Sequence, residues 1–252
     1  MKLYFDGATD TGLVRSANQD AYYIDPEGRF FIVADGMGGH AGGEEASKLA
    51  AEVVRDCLEE HWKTEQSSEA LLEAALLKAN QSIIQDQKDN PQRSDMGTTA
   101  VVIVFRPSHG DSTPQPWCAH VGDSRLYRLR GAKLDQVTED HTWVNKASKM
   151  GVITPDQIKT HPWRHVLSQC LGRPDLTEVS IQPLEVLPGD RLLLCSDGLT
   201  EEVSDHIIAE LLKNTRACEK VTTKLIESAK ENGGRDNITV IAIATDRQEA
   251  ES

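Results

Sequence analysis

Two hydrophobic periods alternate along this chain. Apolar runs, some continuous and some broken by polar residues, predict strands at 3–10, 22–24, 29–34, 100–105, 117–121, 126–129, 176–186 and 192–195, with a last buried strand at 238–246. Apolar residues spaced by three and four predict helices instead over 44–62, where Ala46, Leu49, Ala50, Val53, Val54, Cys57 and Leu58 share one face, and over 68–89, which Pro91 follows. Two further helices are predicted at 204–213, opened by Ser204 and Asp205 as caps, and at 216–231. Asp25-Pro26-Glu27-Gly28 and Gly131-Ala132-Lys133 read as hairpin turns, and 106–116, with Pro107, Pro114 and Pro116, as a polar connection. Between 140 and 172 the pattern changes: β-branched residues thin out while His141, Trp143, His161, Trp163 and His165 crowd together. This stretch reads as a mobile excursion from the core, and the irregular spacing of its rings favours surface packing over a ligand box.

A chain of 252 residues can bury a substantial core, and the absence of an internal repeat or low-complexity linker predicts one compact domain over 1–252. No apolar run approaches the roughly 20 residues of a membrane span. The opening MKLYFDGATD lacks the apolar stretch of a secretory signal, so a cytoplasmic chain is expected. Lys and Arg number 27 against 40 Asp and Glu, and the net charge of -13 argues against nucleic acid or an anionic membrane as the main partner. The five cysteines are odd in number, widely spaced and mostly in apolar surroundings, as expected of core thiols in a reducing compartment.

Candidate chemistry lies where apolar runs meet glycine. In Phe30–Gly43, FFIVADGMGGHAGG, a buried strand delivers Asp35 into a glycine-rich loop. A lone Asp-Gly is usually a turn former. Asp123, Asp197 and Asp236, however, stand in the same context, each between an apolar strand and a Gly-containing turn. Four such strand ends predict one oxygen-rich pocket. Gathered carboxylates repel and raise one another's pKa unless a cation neutralises them, and hard divalent ions such as Mg²⁺ or Mn²⁺ take such ligands. Neither Cys nor His recurs at these junctions, which weighs against zinc. Taken singly, Asp20 reads as a strand cap and Arg15 as a surface cation.

With these residues in place the chain resembles a known family. DGMGGHAGGEEAS, GDSR at 122–125, SDGLTEEV at 196–203 and GGRDNITV at 233–240 resemble the metal-dependent serine/threonine protein phosphatases of type 2C. Arg15 with Asn18-Gln19-Asp20 resembles the family's opening motif, and Met96-Gly97-Thr98-Thr99 its central one. The motifs run in order through nearly the whole chain, and its compact form is most similar to the cyanobacterial enzymes acting on the PII nitrogen-signalling protein. The resemblance implies an α+β fold: a four-layer α-β-β-α sandwich with two central antiparallel sheets, and a flap insertion at about 143–166 that influences substrate choice.

The same resemblance implies two core Mn²⁺ or Mg²⁺ ions and a third, weaker one. Asp35 would bridge the two core ions, with the Gly36 carbonyl on one of them, Asp197 and Asp236 on the other side, and Asp20 acting through water. Asp123 with Asp197 matches the third site. The implied reaction is direct attack on phosphoserine or phosphothreonine by a hydroxide shared between two ions, with Arg15 gripping the phosphate. Met37 is a departure: many eukaryotic members carry histidine there as general acid, and methionine cannot donate a proton. His40, three residues on, is the candidate for protonating the leaving group or contacting substrate. The expected partner is a phosphorylated protein, PII being the named example, and a monomer is expected. Two other classes stay open: a catalytically silent binding module of this fold, and a small-molecule phosphate monoesterase.

Overall fold

The structure, a computed structural model, describes residues 1–39, 42–107, 114–176 and 179–246. Two antiparallel sheets form its centre. The first is made of β1 (Lys2–Asp10), β7 (Arg125–Arg130), β8 (Lys133–Gln136), β10 (Arg191–Cys195) and β11 (Ile238–Asp246), in the order β1-β11-β10-β7-β8. The second contains β2 (Asp20–Ile24), β3 (Phe30–Met37), β5 (Ala100–Pro107), β6 (Pro114–Val121) and β9 (Ser180–Pro183) in the order β2-β3-β5-β6-β9, with β4 (Gly97–Thr98) paired to the end of β3.

Period-two alternation divides each strand between two cores. Phe31 and Val33 of β3, Val101 and Ile103 of β5, Leu192 and Leu194 of β10, and Ile241 and Ile243 of β11 meet between the sheets. The intervening Phe30, Ile32, Val102 and Val104 face outward onto α1 (Gly42–His61) and α2 (Ser68–Asp89). On the other side Leu193, Cys195, Val240 and Ala242 pack beneath α6 (Asp205–Asn214) and α7 (Cys218–Glu231). The continuous apolar runs are therefore strands covered on both faces, and the layers are helix, sheet, sheet, helix. All five cysteines are free and buried.

The described chain departs from the expected elements in several places. The strand expected over 176–186 is limited to Ser180–Pro183, where Pro183 lacks an N–H for the ladder. The connection expected at 106–116 is shorter, because Pro107 and Pro114 pair across a β5–β6 hairpin whose tip at 108–113 lies outside the described residues. The predicted Asp-Gly turn at 197 is instead a single helical turn, α5 (Asp197–Thr200), with Ser196 at its N-cap.

The flap leaves and re-enters the sandwich at a bridge between Thr142 and Leu167. It contains α3 (Trp143–Lys149) and α4 (Pro155–Ile158), the latter opened by a capping box at Thr154 and Gln157. Trp143, His161 and Trp163 pack against one another, with Trp143 ring centroids 5.0 and 4.9 Å from the other two.

Arg106 at the end of β5 is buried without a carboxylate partner among the described residues; its guanidinium donates to the carbonyls of His61, Trp62, Thr64 and Gln66, closing the end of α1. Arg106→Met removes every one of these donors at once from the carbonyls that close the end of α1, so we expect a loss of about 3 kcal/mol. Calorimetry should show a melting temperature lower by roughly 6–12 °C; an unchanged value would mean that water replaces the guanidinium at no cost.

Candidate active site

The sheet order explains how distant aspartates come together. Cys195, the last residue of β10, is opposite Arg125 at the start of β7 and Val240 near the start of β11. Three neighbouring antiparallel strands therefore end at the same edge, and the residues just beyond those ends are Asp197, Asp123 and Asp236. The other sheet supplies Asp35 from β3 and Asp20 from β2, directly opposite one another in the ladder. Asp35 lies inside the strand, not at its end as the sequence suggests, since β3 continues to Met37 by pairing with β4.

Backbone hydrogen bonds fix Asp35. Its N–H donates to Thr99 Oγ1 at 3.0 Å, and its carbonyl accepts from the Thr99 N–H at 2.9 Å and from Thr98 Oγ1 at 2.8 Å. Gly36 must be glycine, because a Cβ there would lie 2.0 Å from the Gly43 carbonyl oxygen and 2.5 Å from that of Gln19. Asn237 orders the loop that carries Arg15: its Oδ1 accepts from the Gln19 N–H, and its Nδ2 donates to the Thr11 and Ala17 carbonyls.

Asp35, Asp123, Asp197 and Asp236 line one cavity of about 590 Å³, together with Arg15, Gly36 and Met37. Asp20 sits behind them; its Oδ2 accepts from Ser196 Oγ at 2.8 Å, while its buried Oδ1 has no hydrogen-bond partner. Burial raises the carboxyl pKa of Asp35 and Asp123 well above the ordinary range, and neighbouring carboxylates add to the rise. Burial likewise pushes Asp20 up to about 7 and Asp197 to about 6. An all-oxygen donor set with mutual repulsion and an orphaned buried oxygen suits a hard divalent cation.

Arg15 is half-exposed at the rim, where Nη2 donates to Asp236 Oδ2 at 2.6 Å. His40 lies outside the described residues. The irregular ring spacing predicts surface packing for His165, but it also lines the cavity, with Nδ1 paired to Glu201, and its ring nitrogen, Asp197 and Glu201 lie within 4.8 Å of one another. Its pKa is lowered, first by burial and then by Arg164. Glu201 follows Asp197 by one helical turn, which was legible as spacing once Asp197 was known to open a helix. His165 carried no such signal, because only the flap's path brings it here.

Residues 14–241 match the family profile of Protein phosphatase 2C. The chain belongs to that family. Its similarity to the serine/threonine protein phosphatase PstP of Mycobacterium tuberculosis is 36% identity over 242 residues, covering 95% of this chain and 44% of PstP. For the serine/threonine phosphatase stp of Listeria monocytogenes it is 34% over 243 residues, 94% of each chain. The chain thus spans less than half of the mycobacterial relative and nearly all of the listerial one. The crystal structure of the mycobacterial PstP/Ppp phosphatase superposes with a TM-score of 0.85 at 37% identity, covering 97% of this chain and 99% of that one. A structure of the PstP catalytic domain in complex with two manganese ions superposes with a TM-score of 0.82 at 35% identity, covering 97% and 99%. These type 2C relatives are bacterial, and their two-sheet sandwich is the fold described above. No helix among the described residues is long and apolar enough to cross a membrane.

Proposed function

We propose that this type 2C chain hydrolyses phosphoserine and phosphothreonine in protein substrates. The observation that carries this reading is the convergence of Asp35, Asp123, Asp197 and Asp236 on one cavity beside Arg15, with Asp20 directly behind. Asp35, the Gly36 carbonyl, Asp197 and Asp236 are the groups we assign to two Mn²⁺ or Mg²⁺ ions, with Asp20 and Asp123 supporting them and a third. Such ions supply a lowered pKa for water and neutralisation of charge on the phosphoryl oxygens.

The chain's own residues do the rest. Arg15 offers a planar fork that stays charged at any working pH, and moving from Asp236 to a phosphate exchanges one anionic partner for another. The Thr98, Thr99 and Asn237 hydrogen bonds hold Asp35 and the Arg15 loop in place. Met37 lines the cavity but has no proton to give, so we assign to His40 the protonation of the leaving oxygen or a contact with substrate. Leu167, Ser168 and Gln169, where the flap returns, form another wall of the cavity, and we assign to the flap a contact with the protein around the phosphorylated residue. The PII signalling protein is the specific substrate we propose, on the likeness of the six motifs to the cyanobacterial enzymes; the relatives compared above carry the names PstP and stp.

The test is hydrolysis of a phosphoserine protein and of free phosphoserine by the purified chain in Mn²⁺, with and without chelator. Protein dephosphorylation that the chelator abolishes is the expected result. Activity persisting in chelator would overturn the metal assignment, preference for free phosphoserine would identify a small-molecule esterase, and inactivity on both would point to a silent binding module.

A further inference from the structure

His141 is the point where three separate parts of the molecule are fastened together. Its backbone N–H donates to the Gly122 carbonyl at 2.9 Å, and in return the Gly122 N–H donates to its Nδ1 at 3.1 Å. Its own carbonyl accepts from the Ser168 N–H at 2.8 Å. Its Nε2 lies 3.0 Å from Ser180 Oγ on β9. One residue thus joins the turn immediately before Asp123, the returning segment of the flap, and the edge of the second sheet.

The partners also determine the tautomer. A backbone N–H can only donate, so Nδ1 of His141 is the bare acceptor nitrogen and Nε2 carries the proton toward Ser180. The ring is held from its face by His120, with centroids 4.6 Å apart and planes 21° from parallel. His120 is itself buried and donates from Nε2 to the Glu139 carbonyl at 2.8 Å. Burial keeps the pKa of both imidazoles below the usual histidine value. The two rings are held in place by their stacking and by these hydrogen bonds.

Gly122 has little freedom to settle elsewhere. Its φ is +103°, and a Cβ on it would lie 2.5 Å from Thr99 Cγ2, the same threonine whose hydroxyl accepts from the Asp35 N–H. The turn before Asp123 is thereby referred to the His141 imidazole, and Ser168, a flap residue that also lines the catalytic cavity, to the backbone carbonyl of the same residue.

We infer that His141 is a positioning residue whose bare Nδ1 holds the Asp123 turn while its backbone carbonyl holds the returning segment of the flap, coupling Mn²⁺ binding at Asp123 to the placing of the flap. This rests on the reading of Asp123 as a group that supports a metal ion.

A pair of substitutions tests it. In His141→Asn the carboxamide oxygen takes the place of Nδ1 and can accept from Gly122; in His141→Gln the amide reaches the place of Nε2 and leaves the Gly122 N–H unpaired. Three measurements apply to the full chain: Mn²⁺ binding followed by electron paramagnetic resonance, hydrogen exchange at the Gly122 and Ser168 amides, and the kinetics of phosphoprotein hydrolysis. His141→Gln should weaken the most loosely bound Mn²⁺ by about 10–100-fold, speed exchange at both amides, and raise KM for phosphoprotein more than it lowers kcat. His141→Asn should stay within about threefold of the native chain by each measure, a difference of under about 0.7 kcal/mol. Native-like exchange and Mn²⁺ affinity in His141→Gln, or equal losses in the two variants, would overturn the proposal. A native chain that binds no Mn²⁺ would overturn the reading of Asp123 itself, while the exchange arm would still report whether His141 holds the two segments together.

Discussion

Asp197→Asn is expected to lower kcat for phosphate-ester hydrolysis by at least about 10²–10³-fold while making the metal-free chain more stable. Both effects have one cause. Asp197 is half-buried in the same cavity as Asp35, and desolvation together with the Glu201 and Asp236 charges lifts its pKa to about 6. In the metal-free chain this carboxylate is a source of repulsion, and a carboxamide of the same shape removes one negative charge from the cluster. Each kcal/mol of relieved repulsion raises the melting temperature of a chain this size by roughly 2–4 °C. The amide is a poor ligand for a hard cation, so the stabilisation given by Mn²⁺ to the native chain should shrink or vanish in the variant. A variant with native kcat, or one whose metal-free form melts below the native chain, would contradict the assignment of Asp197 to the metal centre.

The second large effect is a reversal of the usual dependence of stability on pH. Asp20, Asp35, Asp123 and Asp197 all have carboxyl pKa values raised in the folded chain, to about 7 for Asp20 and about 6 for Asp197. Between the ordinary carboxyl value of 3.8 and those raised values the folded, metal-free chain binds more protons than the unfolded one. Stability therefore falls as pH rises through this window, since its slope follows the protons bound unfolded minus those bound folded. The paired carboxylates Asp10, Asp25 and Asp190 have the opposite shift, and their stabilisation is lost only as pH falls below the ordinary range. Metal-free chain should consequently melt at a lower temperature at pH 8 than at pH 5.5. Saturating Mn²⁺ should raise the melting temperature much more at pH 8, where the carboxylates are ionised and free to bind it. A gain from Mn²⁺ that is equal at both pH values would show that the cluster is not what holds the ion.

Much of this was legible in the sequence because the signals are local. A strand buried on both faces needs a continuous apolar run, as in Phe30–Ala34, and an amphipathic helix needs its three-four spacing, as at Ala46, Ala50, Val54 and Leu58. Asp35, Asp123, Asp197 and Asp236 were legible because each follows or precedes such a run and lies within two residues of a glycine. Long-range contacts left weaker traces. His141 was read with His161 and His165 as one crowded group, yet it belongs to the Asp123 turn, His161 to an aromatic cluster inside the flap, and His165 to the cavity wall.

The sequence by itself determined which segments become strands and helices, which carboxylates can be brought to strand ends, and through its motif order the family. Only the tertiary structure decided that β7, β10 and β11 lie side by side, so that Asp123, Asp197 and Asp236 share an edge with Asp35 and Asp20 of the other sheet. It also decided that Arg15 rests on Asp236 and that His165 and Glu201 join them. The physical reason is that periodicity reports how one segment meets water or core, whereas a site depends on which segments become neighbours. That choice is made by antiparallel register and by buried hydrogen bonds such as those of Thr99, Asn237 and His141, between residues far apart in the chain.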